Sequence, residues 1–147
     1  MGSLKLLNGP TMDFEIIDQS GDQLMLDSLK STMVDMGETE SRQSPAVLKH
    51  LDVINDYLLN HKRRGRTTNG IPFQIFAWSV DFDSQARPGQ GGLKVIYTVI
   101  CGSDLVERDD LKEFESSIYD MIEEVEAMMR AQLRKVQEES GVEVHFI

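Results

Sequence analysis

Cysteine, cations and long apolar runs are all scarce in this 147-residue sequence, and each scarcity excludes something. The one cysteine, Cys101, leaves no intramolecular disulfide and no multi-cysteine metal site. It falls in an apolar strand pattern with no neighbouring His or Lys to lower its pKa, so it reads as a small buried hydrophobe. No apolar stretch approaches the roughly 18–20 residues needed to span a bilayer. Residues 1–7 are too short for a signal-peptide core, and Gly2 lacks the downstream Ser or Thr of a myristoylation signal. The expectation is an unanchored cytoplasmic protein with no membrane partner, or a virion component if the chain is viral.

Lys and Arg number 15 against 25 Asp and Glu, a net charge of −10, which argues against general affinity for nucleic acid. An acidic surface instead repels DNA and resists non-specific aggregation. Catalytic signatures are missing as well. There is no Gly-x-x-x-x-Gly-Lys-Ser/Thr phosphate loop, no Gly-x-Ser-x-Gly and no His-Glu-x-x-His. Neither a catalytic set nor a cofactor is expected.

What is present is a globular balance, with 40% hydrophobic and 27% charged residues, enough for one domain with a real core. Asn8-Gly9-Pro10 marks a turn, so residues 1–11 read as an N-terminal arm ahead of a single domain over 12–147. Phe14, Ile16 and Ile17 suggest a short strand. Met25, Leu26, Leu29, Met33 and Met36 recur at helical spacing, with Gly37 where a C-terminal cap belongs, and predict a helix. Ser44-Pro45 is a good helix start, and Val47, Leu51, Ile54 and Leu58 supply one buried stripe. That helix should fail near 61–65.

Residues 73–82 and 93–101 are rich in β-branched and aromatic side chains and predict a hairpin joined by the nine-residue loop 84–92. Leu111, Phe114, Ile118, Met121, Val125 and Met128 step by three and four along the best helix of the chain, which opens near Asp109 and closes at Gly141. Val142, Val144 and Phe146 then alternate with Glu143 and His145 as a last strand with its apolar side buried. These elements predict an α+β fold: a mainly antiparallel sheet with two helices on one face, in ferredoxin-like β-α-β-β-α-β order. An inserted helix and a long projecting hairpin are added to it.

Lys62, Arg63, Arg64 and Arg66 put four cations into five residues, followed by Thr67-Thr68-Asn69-Gly70. At a helix end they could clamp phosphate, with Thr and Gly supplying hydroxyl and backbone contacts, or pair with an acidic neighbour. Asp81 and Asp83 could together hold a divalent cation, although solvated strand-end acids are commoner. His50 and His61 lie eleven residues apart on one helix, about 16 Å at 1.5 Å per residue, too far to share an ion. Both read as surface or rim histidines, as does His145. Met121, Met128 and Met129 read as core or interface filler.

The hairpin strand 73–82 is apolar on both sides. Phe76, Trp78, Val80 and Phe82 form one set, and Phe73, Ile75 and Ala77 the other. A helix layer can cover only one, so Phe76 and Trp78 are candidate oligomer contacts, and Arg87 in the loop could reach Glu123 or Glu124 of a neighbour. On architecture alone, a sheet with two helices and projecting loops resembles the small ring-forming neck and tail-terminator proteins of tailed phages. That resemblance implies a structural ring component of a virion, with DNA passing an acidic wall. The function expected is non-enzymatic assembly through homo-oligomerisation and contacts with other proteins. Two alternatives stand beside it: a nucleic-acid or phosphate-binding module built on 62–66, and a small metal-dependent hydrolase built on Asp81 and Asp83.

Overall fold

The computed structural model describes residues 14–38, 44–83, 90–102 and 106–146, so the predicted arm and most of the hairpin loop, Arg87 included, lie outside the described residues. In chain order the elements are β1 (Phe14–Ser20), β2 (Gln23–Glu38), α1 (Pro45–Asn60), β3 (Lys62–Arg66), β4 (Pro72–Asp83), β5 (Gln90–Gly102), α2 (Arg108–Ser140) and β6 (His145–Phe146). The strands form one six-stranded sheet in the order β1-β2-β5-β4-β3, with β6 paired to β2 beyond the reach of β1. All pairings are antiparallel. The protein is thus α+β, with a mainly antiparallel sheet and two helices.

The β-α-β-β-α-β core is present, but its first strand is β2. Taking β2, α1, β4, β5, α2 and β6 in turn gives the spatial order β6-β2-β5-β4, the fourth, first, third and second strands of the ferredoxin-like arrangement. The helix expected around 25–36 is therefore a 16-residue strand. Its buried side chains are Leu24, Leu26, Ser28, Thr32, Val34 and Met36, a period of two across a bulge where residues 28–30 stand opposite Tyr97 alone. Two additions extend the core: β1 folds back on the start of β2, and β3 lines the outer edge of β4.

Both helices cover the same sheet face. Leu26 and Val34 of β2, Val95, Tyr97 and Val99 of β5, and Ile75 and Ala77 of β4 point into it and are buried. Onto them α1 lays Val47, Ile54 and Leu58, and α2 lays Leu111, Phe114, Ile118, Met121, Val125, Met129, Leu133 and Val136. Within this layer the Thr32 and Tyr97 hydroxyls are hydrogen-bonded at 2.9 Å, and burial pushes the Tyr97 phenol up to about 12. The helix ends follow the sequence signals. Ser44 accepts from the Val47 amide, Pro45 opens α1, and Gly141 closes α2 with φ of 73°.

Three further expectations change. The basic run 62–66 is not a helix end but the edge strand β3. The hairpin does not project alone, because β2 runs beside β5 as far as Glu38 opposite Gln90. The last strand is only two residues long: Val144 is buried, while Val142 and Phe146 are partly covered, the latter under the Arg130 guanidinium 4.1 Å from its ring.

Candidate interaction face

Side chains alternate across a strand, so covering one face of β4 and β5 leaves the other to be accounted for. On that second face lie Gln74, Phe76, Trp78, Val80 and Phe82 of β4, with Lys94, Ile96, Thr98 and Ile100 of β5 and Met25, Asp27, Ser31 and Met33 of β2 opposite them. No described helix or strand packs over it. Trp78 is 41% exposed, and Phe76, Val80, Phe82, Ile96 and Ile100 are partly covered. The sequence left open which of the two apolar sets the helices cover: they take the one with Ile75 and Ala77, and the set that holds the candidate contacts Phe76 and Trp78 is on the other face.

A polar chain crosses the middle of this face. The Trp78 indole Nε1 donates to the Thr98 hydroxyl at 2.7 Å, and that hydroxyl donates to Asp27 Oδ1 at 2.6 Å. It ties three strands together from the open side and holds the indole against the sheet. At the β3 edge, Lys62 Nζ lies 5.4 Å from the Phe76 ring centroid, close enough for a cation–π contact. Where β4 begins and β5 ends, the face deepens into a recess of about 590 Å³ lined by Arg64, Pro72, Phe73, Gln74, Ile100 and Cys101, among others.

Strand alternation also divides the four cations. Lys62 and Arg64 lie opposite Phe76 and Gln74, on the open face. Arg63 points to the helix side, where it bonds Glu124 at 2.6 Å and approaches Asp120 at 3.6 Å. Arg66 donates to the Gly70 carbonyl. Glu124, proposed above as a target for a neighbour's Arg87, is held within its own chain by Arg63 and by His61 at 2.7 Å. The Thr and Asn groups suggested as phosphate contacts are engaged too. The backbone N–H and hydroxyl of Thr68 both donate to Glu113, and Asn69 reaches Asp110. Three amino acids at the start of α2 are involved in this lock: Asp110 also accepts from the Glu107 amide. The cluster and its turn thus form an ordered strand and turn fastened to α2, with Lys62, Arg64 and Arg66 on the parity of the open face and Arg66 among them turned to the Gly70 carbonyl.

The remaining candidates are dispersed. Asp81 is exposed, and the side chain of Asp83 lies outside the described residues. Among the described residues, no three His, Cys, Asp or Glu side chains gather to hold a metal ion. Cys101 is buried, and burial pushes its thiol up to about 11, far from a reactive thiolate. His50 is not a rim residue: it is 3% exposed between the helices. The Gln132 amide donates to its Nδ1 at 2.6 Å, so Nε2 carries the proton donated to Glu139 at 2.9 Å. Sequence spacing had no means of finding that helix–helix link, since its partners lie 82 and 89 residues away.

The fold and this face define an α+β sandwich of two layers in which the helices cover one side of the sheet and the other, apolar side is left open by the described residues. No family model, no curated protein and no solved structure matches the chain. No helix among the described residues is long and apolar enough to cross a membrane.

Proposed function

We propose that the protein is a non-enzymatic assembly component that acts by self-association through the open face of its sheet. The observation that carries this reading is Trp78, 41% exposed at the centre of an apolar surface that also includes Phe76, Val80, Phe82 and Ile96. Contiguous apolar surface of this kind is unusual on a monomer and marks a contact. Aromatic side chains on a rigid sheet supply large contact area at little entropic cost, which suits an interface core. Closed symmetry is the common outcome when one chain assembles with itself. In the fuller form of this reading the assembly is a ring in the neck or tail of a tailed phage, and the net charge of −10 keeps DNA from adhering as it passes.

The test is the mass of the wild type across a concentration series beside that of Val80→Glu. Val80 lies opposite Lys94, so the new carboxylate gains a cross-strand cation and the fold is retained. The expected result is a concentration-dependent oligomer for the wild type and a folded monomer for the variant. A wild type that remains monomeric at high micromolar concentration overturns the reading.

A further inference from the structure

Two cross-strand rows run the whole width of the open face. In the first, Lys62 lies opposite Phe76, then come Thr98, Asp27 and finally Glu15. In the second, Arg64 is followed by Gln74, Ile100, Met25 and Asp18. Each row begins on a cation of β3 and ends on a carboxylate of β1. This polarity depends on the register shift between Ile16 and Asp18. Residues 15 and 18 of a regular strand point to opposite faces, and the extra residue brings them to the same one.

We propose that the open face receives a second copy of this chain, stacked face to face about a twofold axis parallel to the strands. The proposal rests on the reading of this face as the self-association surface, and adds the partner and its orientation. Of the five strands that the rows cross, β5 is the middle one. An axis along β5 therefore lays β3 of one copy over β1 of the other. Lys62 then faces Glu15 of the second copy, Arg64 faces its Asp18, and symmetry supplies both pairs twice. An axis perpendicular to the strands would instead set β3 over β3 and β1 over β1, cation against cation and acid against acid. Charge thus separates the two ways of closing the same apolar surface.

Size and spacing agree with this arrangement. Strands of 7, 16, 13, 12 and 5 residues, at about 3.3 Å per residue and about 4.8 Å apart, give a footprint of roughly 800 Å², the area each partner contributes to a standard stable interface. Sheets stacked face to face stand about 10 Å apart, a gap that an extended lysine and glutamate close together. Lys94, the cation of the central strand, lies four residues or about 14 Å along β5 from Thr98, and the crossing of about 30° in aligned sheets carries its two copies apart. The pair so formed is either the whole assembly or the repeating unit of a larger ring.

Charge reversal tests the orientation. One variant carries Lys62→Glu with Arg64→Glu, the other Glu15→Lys with Asp18→Lys. Each alone should self-associate at least about tenfold more weakly than the wild type, because like charges now face each other. Mixed in equal amounts they should form a heterodimer within about threefold of wild-type affinity, since every facing pair is again opposite in sign. Sedimentation equilibrium gives the affinities, native mass spectrometry distinguishes hetero- from homodimer, and circular dichroism verifies the fold of each variant. A mixture that associates no better than its components overturns the orientation, as do variants that associate like the wild type. If Val80→Glu still abolishes association in that case, the face reading stands and only the orientation falls. A wild type that never associates removes both.

Should either charge variant fail to fold, the double variant Lys62→Cys with Glu15→Cys decides. Within one chain these positions are four strand spacings apart, about 19 Å, beyond the reach of a short bismaleimide. Covalent dimer formation is expected, and its absence overturns the proposal.

Discussion

Thr98→Val is the most discriminating single change on the open face. Thr98 sits on the central strand, 4% exposed, and its one hydroxyl serves two partners: it accepts from Trp78 and donates to Asp27. Valine keeps the shape and suits a strand, so the substitution removes two hydrogen bonds and little else. A neutral hydrogen bond contributes about 1 kcal/mol net and one to a charged group about 2 kcal/mol. Exchanging the hydroxyl for a buried methyl returns roughly 0.8 kcal/mol. The expected loss is therefore about 2 kcal/mol, or roughly 4–8 °C in Tm for a chain of this length.

The assay has a built-in reporter, because Trp78 is the only tryptophan. Urea unfolding followed by its fluorescence should be run in the Val80→Glu background, where self-association no longer adds a concentration-dependent term. Combining Thr98→Val with Asp27→Ala should cost less than the sum of the two changes, since both remove the same bond. A loss below about 0.5 kcal/mol, no larger than an ordinary surface substitution, would refute the view that this chain fastens the three strands together.

Gly92→Ala should destabilise by about 1–3 kcal/mol in the same assay, because a Cβ there would collide with the Val34 carbonyl oxygen of β2 and strand backbone cannot give way as a flexible side chain can. The hydrogen bond from His50 holds the Glu139 carboxyl below its ordinary value of 4.5, so its contribution to stability is present above that value and is lost as pH falls through the folded-state pKa. The difference in urea midpoint between wild type and Glu139→Gln should accordingly shrink as pH drops from about 5 to about 3, and a difference that stays constant would mean the bond is not formed.

The sequence made some elements plain and hid others for identifiable reasons. Helix α2 is legible because its apolar residues face one side for 33 residues, and α1 because Ser44-Pro45 announces it. Strand β2 misleads because both of its faces carry apolar side chains. Met25 and Met33 on the open side blur the alternation of Leu24, Leu26, Val34 and Met36, and the three-residue bulge between its halves places Leu29, 61% exposed, where a helix stripe would want it. Methionine and leucine also favour helices, so propensity supports the wrong period until tertiary pairing overrides it. The open face itself was half legible: the two apolar sets of β4 are visible in the sequence, but only the pairing register shows which one the helices take. The charge rows were not legible at all, since they join residues on five strands through a bulge.

The basic run 62–66 shows how register turns composition into a surface. As a helix end, its four cations would spread around one turn and present no pattern. As a strand, they divide by parity, and what fixes the parity is Gly65. The Phe73 ring lies over that glycine, so close that a Cβ would stand 3.0 Å from the ring, and the same ring packs on Phe114 at 5.0 Å. An aromatic seated on a glycine pins the strand, because any other residue of the run would drive the ring out of its place. A slip by one residue would send Lys62 and Arg64 to the helix side and Arg63 to the open face, exchanging every charge. With Gly65 in place, Arg63 meets Glu124 and Asp120 on α2, Thr68 meets Glu113 on the same helix, and β3 is anchored from both ends. The cations of Lys62 and Arg64 are then carried at a fixed edge of the apolar surface, opposite Glu15 and Asp18 at the other. Composition alone allows these charges to be a solvated guard on an edge strand, a role they also fill. Register makes them directional, and a directional edge is what allows one apolar face to choose a single orientation of its partner.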